Sequence, residues 1–88
     1  MNRYTSTQLL IEYFAVEEDK FIGEIDISNY DLATINNLCP PETADDLEYC
    51  DGGFIEKEQF LLLQNYIDEL KSFCYEDYVY NIITRGIN

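Results

Sequence analysis

The chain has 88 residues, and eighteen Asp and Glu against five Lys and Arg give a formal net charge of −13. Apolar residues make up 47% of it and thirteen are Tyr or Phe (eight and five), too many for a disordered acidic tail. At this length roughly 60–65% of the unfolded surface is buried on folding, which gives a single domain over residues 1–88 with one modest core. That much negative charge repels nucleic-acid phosphates and anionic membranes, and no apolar run approaches the about 20 residues that cross a bilayer.

The first apolar run, Leu9-Leu10-Ile11, stops at Glu12, so the N-terminal stretch does not read as a signal peptide. Leu9 to Ala15 reads as a strand. Its odd positions Leu9, Ile11, Tyr13 and Ala15 form an apolar face, and Leu10, Glu12 and Phe14 form a mixed one. Phe21 to Ile27 repeats the pattern, with Phe21, Gly23, Ile25 and Ile27 on one face and Ile22, Glu24 and Asp26 on the other. Opposed residues share a face, so the paired numbers of this hairpin have an even sum. A sum of 38 sets Ile11 against Ile27, Tyr13 against Ile25 and Ala15 against Gly23, and leaves Glu18-Asp19-Lys20 as a three-residue loop.

Ser28-Asn29-Tyr30-Asp31 reads as a helix start with Ser28 as the cap and Asp31 reaching back. Leu32, Ile35 and Leu38 or Cys39 form its stripe, and Pro40-Pro41 ends it. Residues 40–55 read as loop, with a short extended piece around Leu47 to Cys50. Phe60, Leu63, Tyr66/Ile67, Leu70 and Phe73/Cys74 recur at helical spacing, which predicts a helix from about Glu56 to Phe73. Tyr78 to Thr84 is rich in β-branched and aromatic residues and reads as a strand, with continuation of the helix as the alternative. The expected architecture is α+β: a small antiparallel sheet of about three strands, the N-terminal hairpin plus the C-terminal strand, packed against two helices.

Little in the chain points to catalysis. With no histidine, the commonest general base and metal ligand is missing, and Ser-His-Asp, Cys-His and zinc Cys/His sites cannot form in their usual arrangements. Gly52-Gly53 suits a turn rather than a phosphate loop. When Gly52 is aligned with the turn glycine of an EF-hand, Asp51 and Glu58 fall at ligand positions, but Leu47 and Tyr49 occupy the first and third. No catalytic residue, metal site or cofactor is expected. Cys39, Cys50 and Cys74 are an odd number at wide spacings, which fits reduced thiols in a cytoplasm. Cys39 and Cys74 fall on apolar helix stripes as small buried hydrophobes. Cys50 lies among acids that raise its pKa.

The acids are unevenly distributed. Between Lys20 and Lys57 lie 36 residues with nine acids and no base, and five of those acids fall between Glu42 and Asp51. Carboxylates interleaved with Tyr30 and Tyr49 suit docking on a basic, phosphate-binding groove. Most charge runs are simply solvated loops, and that reading stands beside docking here. The residues expected to contact a partner are Asp45, Asp46, Glu48, Tyr49 and Asp51, with Glu17, Glu18 and Asp19 at the hairpin tip as a secondary edge. Tyr75, Tyr78 and Tyr80 are expected to pack in the core or on the sheet.

The acidic-tipped hairpin (Leu10-Ile11-Glu12-Tyr13-Phe14 … Phe21-Ile22-Gly23-Glu24-Ile25-Asp26-Ile27) is followed by the short helix, Asp45-Asp46-Leu47-Glu48-Tyr49, a long helix and Tyr75-Glu76-Asp77-Tyr78-Val79-Tyr80. In this layout the chain resembles the small acidic immunity proteins encoded beside bacterial polymorphic toxins, including those of contact-dependent growth inhibition. The resemblance covers most of the chain and rests on layout and composition. It implies a cytoplasmic protein that binds one cognate toxin domain, often a basic nuclease, and blocks it, with no direct contact to nucleic acid or membrane. The rival class is the acidic nucleic-acid mimic of phages, the anti-CRISPR and anti-restriction proteins.

Overall fold

The computed structural model describes residues 6–87, and the side chains of 7–86. The chain folds as an α+β domain. Strands β1 (Ser6–Ala15) and β2 (Phe21–Asp26) form the N-terminal hairpin, and helix α1 (Leu32–Leu38) follows. A two-residue strand β3 (Gly53–Phe54), helix α2 (Lys57–Tyr66), two 3-10 turns (Asp68–Ser72 and Tyr75–Asp77) and strand β4 (Tyr78–Ile87) complete it. The antiparallel sheet has the order β2-β1-β4-β3. Its spine is the long β1–β4 ladder, in register from Ser6 opposite Ile87 to Ala15 opposite Tyr78. The C-terminal segment is therefore strand, and β3 adds a fourth strand within the stretch read from sequence as loop. The extended piece expected around Leu47 to Cys50 is a run of turns instead.

The face formed by the odd positions of β1 and the even positions of β4 carries the core. Leu9, Ile11, Tyr80 and Ile82 meet Ile35 of α1, Phe60 and Leu63 of α2, and Ile67 and Leu70 beyond it, all buried. Six aromatic rings, Tyr13, Phe60, Phe73, Tyr75, Tyr78 and Tyr80, interlock at one end. Phe60 and Tyr80 lie 4.6 Å apart, and Tyr13 stands 5.0 Å from both Phe73 and Tyr78. Such pairs contribute about 0.5–1.5 kcal/mol each beyond the area they bury. Among the described residues no buried side-chain N or O lacks a hydrogen-bond partner.

Several expected details shift, each for a physical reason. The hairpin pairs with a sum of 36, placing Ile11 opposite Ile25 and Tyr13 opposite Gly23. The parity, and hence the face assignment, is kept through Ile25. The turn spans residues 16–20, closed by the Ala15 N–H donating to the Lys20 carbonyl at 2.8 Å, with Asp19 in the left-handed region at φ 50°. The register then shifts between Tyr13 and Phe14, so Phe14 pairs with Phe21 and Ile22 is the extra residue. That bulge turns Phe21 off the core face where simple alternation placed it.

Ser28 does not cap α1. Its Oγ accepts the Leu9 N–H at 2.9 Å, and Asp31 is the cap, accepting from the Thr34 N–H and Oγ1. The long helix predicted to Phe73 stops at Tyr66, because Ile67 takes an extended backbone and the chain tightens into a 3-10 turn. Ile67, Leu70 and Phe73 are three residues apart, the 3-10 repeat rather than the α repeat. The Gln64 amide secures the change by donating to the Leu70 and Phe73 carbonyls at 2.9 and 2.8 Å. Cys74, expected to be buried, is exposed.

Candidate functional site

The loop of residues 42–51 is a compact series of turns pinned to the β3 edge of the sheet. The Thr84 N–H donates to the Tyr49 carbonyl at 3.1 Å, and Thr84 Oγ1 donates to the Glu48 carbonyl. Asn36 of α1 donates to the Leu47 carbonyl. Tyr49, expected as an exposed contact, is a core residue at 1% exposure, and its hydroxyl donates to the Cys39 carbonyl at 2.6 Å. Desolvation pushes its pKa up to about 12, so it stays a neutral donor. The ring is drawn in because the backbone at Tyr49 turns left-handed, φ 58°, which folds the loop over Cys39.

Asp46 is half-buried and already occupied. One carboxylate oxygen accepts the Cys50 N–H at 2.8 Å and the other the Asp51 N–H at 3.0 Å. It organises the loop as an N-cap organises a helix. Asp45, Glu48 and Asp51 are exposed. Desolvation, and then Asp46, Glu48 and Asp51, raise the Cys50 thiol pKa, the direction that lowers reactivity. Cys39 is pushed to about 11 by burial and by Glu56. Tyr30 is half-buried against Tyr66, and its hydroxyl donates to Glu69 at 2.5 Å, so it too serves the fold.

Glu17, Glu18 and Asp19 are all exposed at the hairpin tip. The structure does not bring them beside the 42–51 loop. That loop joins β4 at Thr84, opposite Leu9, whereas the tip lies beyond Ala15, opposite Tyr78. Six residues of strand separate the two levels, about 20 Å at the rise of a β-strand. The two acidic clusters thus occupy opposite ends of the sheet.

What lies beside the tip is apolar. On the face away from the helices, Phe21 and Ile22 of β2, Phe14 of β1, Val79 of β4 and Phe54 of β3 form a row across all four strands. Phe14 and Phe21 meet edge to face at 5.7 Å. Phe54 is 64% exposed, Val16 54%, Phe21 48% and Ile22 47%. Phe54 and Val79 are shared by two adjoining depressions of about 250 and 310 Å³. Asp19 lines the first, and Glu56 and Glu76 line the second. Further along this face the Arg85–Glu24 ion pair crosses the level of Leu10, which is 1% exposed. The open face is therefore sealed at one end and left apolar at the tip.

An open cleft of about 220 Å³ beside the acidic loop is lined by Thr7, Ser28, Tyr30, Glu48 and Thr84, among others, but Ser28, Tyr30 and Thr84 already spend their hydroxyls within the fold. Among the described residues no group of three or more His, Cys, Asp or Glu converges as a metal site. No helix in the described chain is long and apolar enough to cross a membrane.

Residues 8–82 match the family described as a domain of unknown function (DUF7683), and the chain belongs to that family. No curated protein and no solved structure matches it.

Proposed function

We propose that this domain is an immunity-type inhibitor, which binds a basic toxin domain, of the nuclease kind, in the cytoplasm and neutralises it by stoichiometric contact rather than by catalysis. The observation that supports this most is the state of its charge. Lys57, Lys71 and Arg85 are held in ion pairs with Glu76, Asp68 and Glu24. Glu17, Glu18, Asp19, Asp45, Glu48 and Asp51 are exposed, and none takes part in an ion pair among the described residues. A net charge of −13 on 88 residues costs stability through self-repulsion, and a basic partner would relieve that repulsion on binding.

The phage-mimic reading rests on the same charge but has less support. Phosphate mimicry calls for a continuous line of carboxylates, whereas here two acidic clusters stand about 20 Å apart along the strands. The exposed apolar row has no counterpart in a phosphate backbone and suits a protein surface.

The test is co-production with the C-terminal domain of the protein encoded immediately upstream. A one-to-one complex and restored growth are expected, with an association rate that falls steeply with ionic strength in stopped-flow mixing. A partner that binds at a salt-independent rate would remove electrostatic docking. Failure to co-elute or to restore growth would overturn the inhibitor reading.

A further inference from the structure

We infer that the docking surface for a basic protein is the apolar row at the hairpin-tip end of the open sheet face, and not the loop of residues 42–51. This deepens the inhibitor reading and rests on it for the partner's role; the surface itself can be tested without it.

Protein interfaces are organised as an apolar, often aromatic centre with a polar rim, and the centre carries most of the affinity. The row has that anatomy. Phe14, Phe21, Phe54 and Val79 span four strands, about 15 Å at the spacing of a sheet. Two open depressions flank Phe54. The acids around it are the exposed tip residues, of which Asp19 lines one depression, and Glu56 and Glu76 at the wall of the other, where Glu76 is paired with Lys57; Lys20 is the one cation of the tip loop. The 42–51 loop offers the reverse. Its aromatic side chain is in the core and one of its carboxylates is spent on backbone amides.

Charge complementarity names the occupant. A second copy of this chain would bring −13 against −13, with acids at both rims. An anionic membrane is repelled for the same reason. A basic protein surface with a protruding apolar side chain meets both requirements of the site. Its Lys and Arg would face the rim, and its apolar group would enter beside Phe54.

The test uses isotope-labelled protein titrated at low ionic strength with the peptide acetyl-Lys-Leu-Lys-Phe-Lys-amide, observed by NMR. Saturable shifts are expected at the methyls of Val16, Ile22 and Val79 and at the amides of residues 17–19. The double variant Phe21→Ser/Phe54→Ser removes two exposed rings, which leaves the core intact, and should weaken the peptide about tenfold or more. The variant Asp45→Asn/Glu48→Gln/Asp51→Asn should change it less than about threefold, as rim charges do. Shifts confined to residues 42–51, or no saturable shift, would overturn the assignment. So would self-association in sedimentation that Phe54→Ser abolishes, because the row would then belong to a second copy. The same variants separate this inference from the reading it rests on. If protection against the upstream toxin survives loss of the two rings but not of the loop charges, the surface is wrong and the inhibitor stands. If no toxin is bound while the peptide maps to the row, the inhibitor reading fails and the surface stands.

Discussion

The hairpin tip and the 42–51 loop are both short, acidic and exposed in sequence terms, yet they put their side chains to opposite use. The loop folds inward: Tyr49 enters the core, Asp46 binds two amides, and Thr84 and Asn36 clamp the carbonyls of residues 47–49. The tip folds outward, with Val16, Phe21 and Ile22 exposed beside three acids that no ion pair engages among the described residues. A cluster of carboxylates therefore says little about binding until one knows which of them the fold has already claimed. An aromatic ring among acids is equally ambiguous, since Tyr49 and Phe54 fall within one stretch read from sequence as loop but end on opposite sides of the sheet.

The comparison breaks most directly at Tyr49. If its ring belongs to the core, Tyr49→Ala should cost about 3–5 kcal/mol in urea denaturation, the range for emptying a large aromatic site. Tyr49→Phe should cost about 1–3 kcal/mol, because the Cys39 carbonyl loses its donor in a buried place. A variant that keeps its midpoint but loses partner affinity would return Tyr49 to the interface.

The tip side of the comparison depends on a rigid hairpin. A Cβ on Gly23 would lie 2.6 Å from Tyr13 Oη and 2.8 Å from Tyr13 Cζ. The ring has little freedom to retreat, being packed 5.0 Å from Phe73 and from Tyr78. Gly23→Ala should therefore destabilise by about 1–3 kcal/mol, the usual cost of overpacking, seen as a lower thermal midpoint. An unchanged midpoint would mean that the hairpin yields, and the apolar row with it.

Within the loop, acids of the same type should behave differently. Asp46→Ala strands the Cys50 and Asp51 N–H groups and should cost about 1–2 kcal/mol. Asp45→Asn and Asp51→Asn should stay within about 0.5 kcal/mol of the parent. Equal effects at the three positions, read by chemical denaturation, would make the loop a uniform charge run after all.

The period-two pattern carried much of this fold. The odd positions of β1 face the core as read, and the even-sum rule placed the rest of β2 correctly, from Gly23 on, although the register was off. What it could not carry is the bulge, since one extra residue at Ile22 reverses Phe21 without any change in composition. Phe14 was legible in part: an aromatic ring beside Glu12 on the mixed strand face needs a reason. Phe54 was not, because a two-residue strand has no period of its own. Tyr49 was hidden by its neighbours, whose charges marked the segment as solvated while a left-handed turn took the ring inside. Ile67, Leu70 and Phe73 held the signal for the 3-10 turn in their spacing, masked by the strong α repeat before them.

Asp26 is a third kind of acid, neither free at the tip nor structural in the loop, and it sharpens the contrast by the smallest effect. It ends β2, accepting the Ser28 N–H at 2.9 Å and the Gln8 amide at 3.0 Å. Hydrogen bonds from the Ser28 side chain and backbone hold its pKa below the ordinary 3.8, outweighing desolvation. A carboxylate whose folded pKa is depressed contributes stability that is complete above the unfolded value and is lost as pH falls through the folded one. Acidification also discharges the other acids and relieves self-repulsion, so the parent's own pH profile mixes two opposing trends. The difference between the parent and Asp26→Asn isolates the first. That gap in unfolding free energy should be flat from neutral pH to about 5 and shrink as pH drops below about 4. Because the group is exposed and screened, the change should be a few tenths of a kcal/mol. A gap that persists undiminished to pH 2 would mean that Asp26 is held by geometry alone, with its charge contributing nothing to the end of β2.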